Sequence, residues 1–230
     1  MSPEYSYSED CLYLNVMTPH DVMSSKCPVI VYIHGGGFVS GGTNPFGYAD
    51  ICKNFVVKGF VFVTLAYRIG FLGFFTDGTE YMPGNYGLWD QREALVFIRD
   101  NIEKFGGDSQ NVTVMGTSAG AASISGLSLS PHCKGKKHRF LIFRSKLKIR
   151  RLGLFKRGIC LSGSLFCEWA ISDNVVSNCK KILQHLDCPI QYAKDELKKK
   201  GINELMNAVT ETVIALIILL KQVFVVVLEA

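Results

Sequence analysis

Two uninterrupted apolar runs constrain the fold of this chain more than any other feature. Residues 28–33 read PVIVYI and residues 60–65 read FVFVTL, and both runs are rich in β-branched and aromatic side chains. Runs of this kind are typical of strands that are covered on both faces, as in parallel sheets. Residues 49–58 (ADICKNFVVK) lie between them and suit a short crossover helix, so the sequence predicts a parallel strand, helix, strand unit.

The alternation of strands and helices continues along the chain. Apolar residues between positions 87 and 104 recur at a spacing that lines one side of a helix. The further predicted elements are a strand at 10–17, a strand at 111–115 (NVTVM), a helix at 121–129 (AASISGLSL) and a strand at 158–164 (GICLSGS). The small side chains of AASISGLSL favour a helix that lies close to the sheet. Together these elements predict an α/β fold in one domain.

Charge and cysteine content exclude several classes of function. The net charge is +5, but eight of the 25 basic residues lie between positions 136 and 151, so the remainder has 17 basic and 20 acidic side chains. A basic surface for nucleic acid is therefore not predicted. The eight cysteines form no CxxC or zinc-like Cys/His spacing, so no metal site is predicted. The residues after Met1 contain neither the basic segment nor the apolar stretch of a signal peptide, so we expect none in these residues. The cellular compartment is left open.

Residues 116–120 read GTSAG, a Gly-x-Ser-x-Gly pattern between the predicted strand NVTVM and the following helix. A serine hydroxyl needs exposure, a base and donors for the developing oxyanion before it can act as a nucleophile. A sharp strand-to-helix turn supplies exposure, and Gly116 and Gly120 allow it to pack tightly while Ser118 adopts a strained backbone conformation. Alone the five-residue pattern is weakly specific, but its place between strand and helix favours Ser118 as a nucleophile.

A glycine-rich loop, IHGGGFVSGG at residues 33–42, directly follows the strand PVIVYI. Consecutive glycines allow backbone N–H groups to face a substrate without intervening side chains, so Gly36 and Gly37 are candidate oxyanion donors together with Ala119. The alternatives are a flexible loop or a phosphate cradle. A Walker-type phosphate loop requires Gly-Lys-Ser/Thr, which the sequence GGTNP lacks.

Several motifs in the same order resemble the type B carboxylesterase, or cholinesterase-like, branch of the α/β-hydrolases. They are SEDCLYLNV (8–16), HGGGFVSGG (34–42), YRIGFLGF (67–74), GNYGLWDQ (84–91), NVTVMGTSAG (111–120) and SGSLFCEWA (162–170). The resemblance implies a partial α/β-hydrolase fold with a mostly parallel central sheet. It also implies a serine esterase that acts on a small-molecule ester through an acyl-serine intermediate, without a metal or organic cofactor. The alternative that remains open is a non-catalytic cholinesterase-like binding or adhesion protein.

The resemblance also implies roles for individual residues. Ser118 is the expected nucleophile, Gly36, Gly37 and Ala119 surround the oxyanion, and Trp169 borders the acyl side of the pocket. The family usually has Glu before the serine, whereas this chain has Thr117, so we do not expect a preference for cationic substrates. The aromatic residue with which cholinesterases hold a quaternary ammonium would fall at Met1, which argues against a choline ester.

The base that would activate Ser118 is not evident in this sequence. In the family, the acid and the histidine of the triad follow the serine by more than a hundred residues, and 112 residues follow Ser118 here. We therefore expect both to be absent and the chain to represent the N-terminal half of a carboxylesterase, weakly active or inactive as it stands. Of the five histidines, His34 is expected to shape the glycine loop, His132 to lie in a surface turn and His185 on a helix.

Two segments depart from the family pattern. Residues 136–153 are strongly basic and interrupt it as an insertion, for which we weigh a surface loop, a membrane- or partner-binding arm and translated non-coding sequence. Residues 209–230 form an atypical apolar tail, which is the one place where a membrane anchor is considered. Its run from 213 to 228 is shorter than the roughly 20 residues of a spanning helix and contains Lys221.

Overall fold

The structure is a computed structural model that describes residues 10–20, 26–43, 47–133 and 153–217, with side chains described as far as residue 212. Within these residues five strands form one mixed sheet in the order β1-β3-β2-β4-β5. The strands are β1 (Leu14–Met17), β2 (Cys27–Ile33), β3 (Val61–Leu65), β4 (Gly107–Thr117) and β5 (Arg157–Leu161). Strands β3, β2, β4 and β5 are parallel, and β1 pairs antiparallel with β3 at one edge. The prediction of a mostly parallel α/β sheet is confirmed.

Helices lie between the parallel strands and after β5. They are α1 (Tyr48–Asn54), α2 (Gly70–Phe74), α3 (Tyr86–Asn101), α4 (Ala119–Leu129), α5 (Val175–His185), α6 (Ala193–Lys199) and α7 (Ile202–Ile217). The crossover helix predicted at 49–58 consists of α1 followed by a 3₁₀ turn at Val56–Lys58. The strand predicted at 10–17 is shorter, since only Leu14–Met17 pairs with β3, and the strand predicted at 111–115 is longer because its pairing with β2 begins at Gly107.

The two faces of the sheet carry separate hydrophobic clusters. The larger core joins alternate residues of β2, β3 and β4 to inward side chains of α3 and α4, among them Leu95, Ile98 and Ile124. A smaller cluster around Ile51 and Phe62 lies between α1 and the opposite face. Because β2 and β3 are buried on both faces, their sequences are continuously apolar rather than alternating.

A partly buried ion pair joins the segment after β3 to α3. Arg68 Nε and Nη2 donate to the two carboxylate oxygens of Asp90 over 2.8 and 2.7 Å, and the Arg68 N–H donates to the same carboxylate over 3.0 Å. The Asp90 side chain is buried, so this bidentate pair fixes both position and orientation. Added Cβ atoms at Gly73 and Gly87 would lie 2.2 and 2.3 Å from the Arg68 carbonyl oxygen, so α2 and α3 both require glycine there.

Helix α4 lies in direct backbone contact with the sheet, as its small side chains predicted. A Cβ on Gly120 would lie 2.1 Å from the carbonyl oxygen of Ile33, and one on Gly116 would lie 2.6 Å from the carbonyl carbon of Gly120. Neither distance is sterically possible. The first turn of α4 therefore lies where it does only because both glycines lack a side chain.

The C-terminal part of the described chain is helical. Helices α5 and α7 are in contact through His185 and Glu211, whose Nε2 and Oε2 atoms are 3.1 Å apart. The predicted insertion at 136–153, apart from Gly153, and the tail beyond residue 217 lie outside the described residues. No helix in the described part of the chain has the length and apolar content that crossing a membrane requires.

We expect Gly120→Ala to lower the free energy of unfolding by about 1–3 kcal/mol, because the added methyl group forces α4 away from β2. Gly126→Ala is the matched control in the same helix, where a Cβ would make an ordinary 3.5 Å contact with Leu165. This control should stabilise the protein by up to about 1 kcal/mol through helix propensity. Urea denaturation followed by circular dichroism measures both, and equal stabilities for the two variants would contradict the packing argument.

Candidate active site

Ser118 occupies a sharp turn between β4 and α4 in a conformation that side chains rarely adopt. Its backbone has φ 55° and ψ −118°, while the flanking residues continue the strand and begin the helix. The Ser118 N–H donates to the Leu161 carbonyl over 2.8 Å, and the Ser118 carbonyl accepts from the Ala122 N–H over 2.9 Å. The end of β5 and the first turn of α4 thus hold Ser118 from both sides in a conformation that costs about 1–3 kcal/mol.

Two glycines allow other segments to approach this turn closely. A Cβ on Gly35 would lie 2.6 Å from the Thr117 carbonyl oxygen and 3.2 Å from Ser118 Cβ. A Cβ on Gly163 would lie 2.3 Å from the Ser118 carbonyl oxygen. The glycine loop after β2 and the segment after β5 therefore border Ser118 directly. Sequence reasoning missed both residues, although their place just after the carboxyl ends of neighbouring strands was a usable signal.

The glycine loop turns sharply beside Ser118. Gly36 and Gly37 have φ of 111° and 61°, and both are exposed. The Gly36 carbonyl accepts the N–H groups of Val39 and Ser40 over 3.0 Å each, which closes the turn. Among the residues that the structure describes, the N–H groups of Gly36, Gly37 and Ala119 donate to no protein acceptor. These N–H groups are available to a ligand, and the N-terminus of α4 adds a partial positive charge.

His34 supports the glycine loop from the protein interior. The residue is 4 % exposed, and its ring stacks on Tyr67 at a centroid distance of 4.3 Å. His34 Nδ1 lies 2.8 Å from the Gly35 carbonyl oxygen. Because a carbonyl oxygen only accepts, the neutral ring carries its proton on Nδ1 and donates it to Gly35. The Tyr67 hydroxyl donates to the His34 carbonyl over 3.0 Å. Burial lowers the pKa of His34 below its ordinary value, although the hydrogen bond to Gly35 opposes this shift.

His132 and His185 lie in separate surroundings. The His132 ring packs against Trp89 at a centroid distance of 4.9 Å, and His185 pairs with Glu211. In the described ranges, no histidine is hydrogen-bonded to the hydroxyl of Ser118. No group of three metal-ligating side chains occurs within those ranges either.

Trp169 lies on the segment that carries Gly163, six residues further along the chain. It is half-buried and packs against the main core, next to the fully buried Ala170. The structure thus brings Ser118, Ala119 and the glycine loop together at the carboxyl ends of β2 and β4, and places Trp169 on the neighbouring segment after β5. Cys11 is a free and exposed thiol.

The parallel sheet, the turn at Ser118 and the adjoining glycine loop together define an α/β-hydrolase fold. The structure aligns with a thermophylic pNB esterase at a TM-score of 0.77 and 32% identity, covering 96% of this chain and 42% of that one. The family model described as "Carboxylesterase family" matches residues 1–227, and the chain belongs to this family.

Curated relatives agree with this assignment. The chain is 40% identical over 205 residues to gut esterase 1 of Caenorhabditis briggsae. The matched residues cover 89% of this chain and 33% of that relative. It is 38% identical over 193 residues to the bile salt-activated lipase of Bos taurus, covering 80% of this chain and 29% of that protein. The chain therefore spans about a third of the length of these relatives.

Replacement of Ser118 by glycine should stabilise the protein relative to replacement by alanine. Both variants lack the hydroxyl, but only glycine adopts φ 55° without strain, so we expect Ser118→Gly to exceed Ser118→Ala by about 1 kcal/mol in unfolding free energy. The matched pair is Ser130→Gly and Ser130→Ala, at a position with φ −58°. There glycine should give no advantage in urea denaturation. A similar glycine advantage at both positions would show that Ser118 is not strained.

The stability of the protein should fall as the pH is lowered through about 6.5, the ordinary pKa of histidine. Because burial lowers the pKa of His34 in the folded protein, the unfolded chain takes up that proton first and the folded state loses stability in acid. Urea denaturation at pH 7.5 and pH 5.5 measures the effect. His34→Gln should reduce the difference between the two values, and an undiminished difference in this variant would contradict the assignment.

Proposed function

We propose that Ser118 is the nucleophile of a carboxylic ester hydrolase and that the N–H groups of Gly36, Gly37 and Ala119 receive the oxyanion. The observation that carries this proposal is the strained turn at Ser118, with the glycine loop in van der Waals contact beside it. Strain at a residue persists only where the surrounding structure imposes it, and such residues concentrate at functional sites. Membership of the carboxylesterase family supports the same reaction class.

The proposed reaction is acyl transfer to the serine oxygen. Ser118 Oγ forms a bond to the ester carbonyl carbon as its proton passes to a base, or to water where the described residues act alone, and the carbonyl oxygen takes the negative charge in front of the three N–H groups. Collapse of this intermediate breaks the bond to the alcohol oxygen, which takes up a proton from the same base or from water, and leaves an acyl-serine that water hydrolyses to the carboxylic acid. Each oxyanion donor contributes roughly a hundredfold to a thousandfold in rate in enzymes of this kind.

The described residues supply the nucleophile and the oxyanion donors but offer Ser118 no histidine within hydrogen-bonding distance. A serine hydrolase without its base keeps about a thousandfold to ten-thousandfold acceleration over water, far below that of a complete triad. We therefore propose that the described residues alone support slow acylation. With a general base beside Ser118, we expect the ester hydrolysis of the family.

The surroundings of Ser118 favour an uncharged ester. The residue before the serine is Thr117, which adds no negative charge, and the side chains exposed on the adjoining segments include Val39, Leu161 and Phe166. Trp169 is proposed to border the acyl group from the same segment as Phe166. An apolar border of this kind retains hydrophobic acyl or alcohol groups.

Incubation of the purified chain with a fluorophosphonate probe tests the nucleophile. The probe phosphonylates activated serines, so we expect covalent labelling at Ser118, identified by peptide mass spectrometry, and none in Ser118→Ala. Ser130→Ala is the control and should label like the wild type. Circular dichroism of each sample verifies that the protein is folded.

A folded wild-type chain that takes up no label would contradict the nucleophile assignment. That outcome would favour a non-catalytic binding protein built on the same fold, an alternative which the missing histidine contact at Ser118 also supports. Labelling at a different serine with Ser118 unmodified would equally overturn the proposal.

A further inference from the structure

A buried polar side chain connects α3 to the first turn of α4. Gln91 lies on the inward face of α3 and is 0 % exposed. Its Nε2 donates to Ser123 Oγ over 3.1 Å, and Ser123 Oγ donates to the Ala119 carbonyl over 2.8 Å. This two-step chain of hydrogen bonds, Gln91 to Ser123 to Ala119, ends at the residue that follows Ser118.

The position of Gln91 is unusual for a side chain whose role is only packing. The other buried side chains on α3 are Leu95 and Ile98, and an aliphatic residue at position 91 would complete that apolar stripe. Instead, the structure buries an amide whose Oε1 has no hydrogen-bond partner in the described part of the chain. Burying an unsatisfied acceptor opposes folding, and the hydrogen bond from Nε2 to Ser123 is the polar contact that offsets this cost.

The hydrogen bond from Gln91 determines the direction of the Ser123 hydroxyl. Nε2 occupies an acceptor site on Ser123 Oγ, so the hydroxyl proton is directed to the Ala119 carbonyl, four residues earlier in the helix. Hydrogen bonds in such a chain polarise and strengthen one another in a dry interior. The first turn of α4 is therefore held both by its own helix bonds and by a side chain from a neighbouring helix.

We propose that Gln91 is a positioning residue for the oxyanion site and that it acts through Ser123 to hold Ala119 in place. This inference rests on the proposed function, in which the Ala119 N–H is an oxyanion donor. Gln91 touches no substrate, since it is buried behind α4. Its effect is on the alignment of the N–H group in the transition state, where displacements of an ångström reduce rates strongly.

The test compares rates of fluorophosphonate labelling in the full chain. Gln91→Met keeps the length of the side chain and removes its donor, and Ser123→Ala removes the relay. We expect each to lower the rate constant of covalent labelling about tenfold at saturating probe and to leave the half-saturating probe concentration unchanged. The double variant should label no more slowly than either single variant, because both substitutions interrupt the same series of hydrogen bonds from Gln91 to Ala119. Ser128→Ala is the control, because it loses an equivalent buried bond at the far end of α4, from Ser128 Oγ to the Ser125 carbonyl.

Stability and alignment can be separated in the double variant. Replacing both partners by apolar groups removes the unsatisfied polar atoms, so urea denaturation should show a recovery of stability relative to Gln91→Met. If labelling recovers together with stability, Gln91 is only structural and the proposal is overturned. It is also overturned if the folded single variants label at the wild-type rate or if Ser128→Ala is slowed equally. A wild-type chain without any label would instead reject the proposed function, and this inference with it.

Discussion

The direct contact between the backbone of β2 and the first turn of α4 is the constraint on which the rest of the site depends. Gly120 faces the carbonyl oxygens of Ile33 and His34 at distances that exclude a side chain. This contact places the N-terminus of α4 against the point where the glycine loop leaves the sheet. Ser118 at the start of the helix and Gly35 at the start of the loop are brought together as a consequence.

The strain at Ser118 is balanced by ordinary structure around it. The Leu161 carbonyl and the Ala122 N–H bind its backbone, and the hydrophobic core beneath α4 keeps both β4 and the helix in position. A cost of about 1–3 kcal/mol is acceptable to a fold whose central strands are buried on both faces. Two buried side chains also support this region: His34 lies behind the glycine loop and Gln91 lies behind α4.

Much of this arrangement could be predicted from the sequence, although not its details. The apolar runs predicted β2 and β3 to within a residue, and small side chains predicted the close approach of α4. The length of β4 could not be predicted, because residues 108–110 are polar and the strand begins at Gly107 only through the pairing of Gly107 with Cys27 of β2. Gly35 and Gly163 carry no side-chain chemistry, and their importance is visible only as distances to Ser118. Gln91 was equally hidden, since a glutamine on a helix is ordinarily solvated.

The sequence by itself determined the fold class, the turn at Ser118 and the family motifs, because these depend on local properties: unbroken apolar runs, glycines at fixed spacing and the order of strands and helices. Only the tertiary structure decided which segments meet at Ser118, that His34 faces inward beneath the loop, and that the described residues offer Ser118 no histidine. These facts depend on contacts between residues that are distant along the chain. Such contacts follow from the register of the sheet and the burial of particular side chains, which no local pattern encodes.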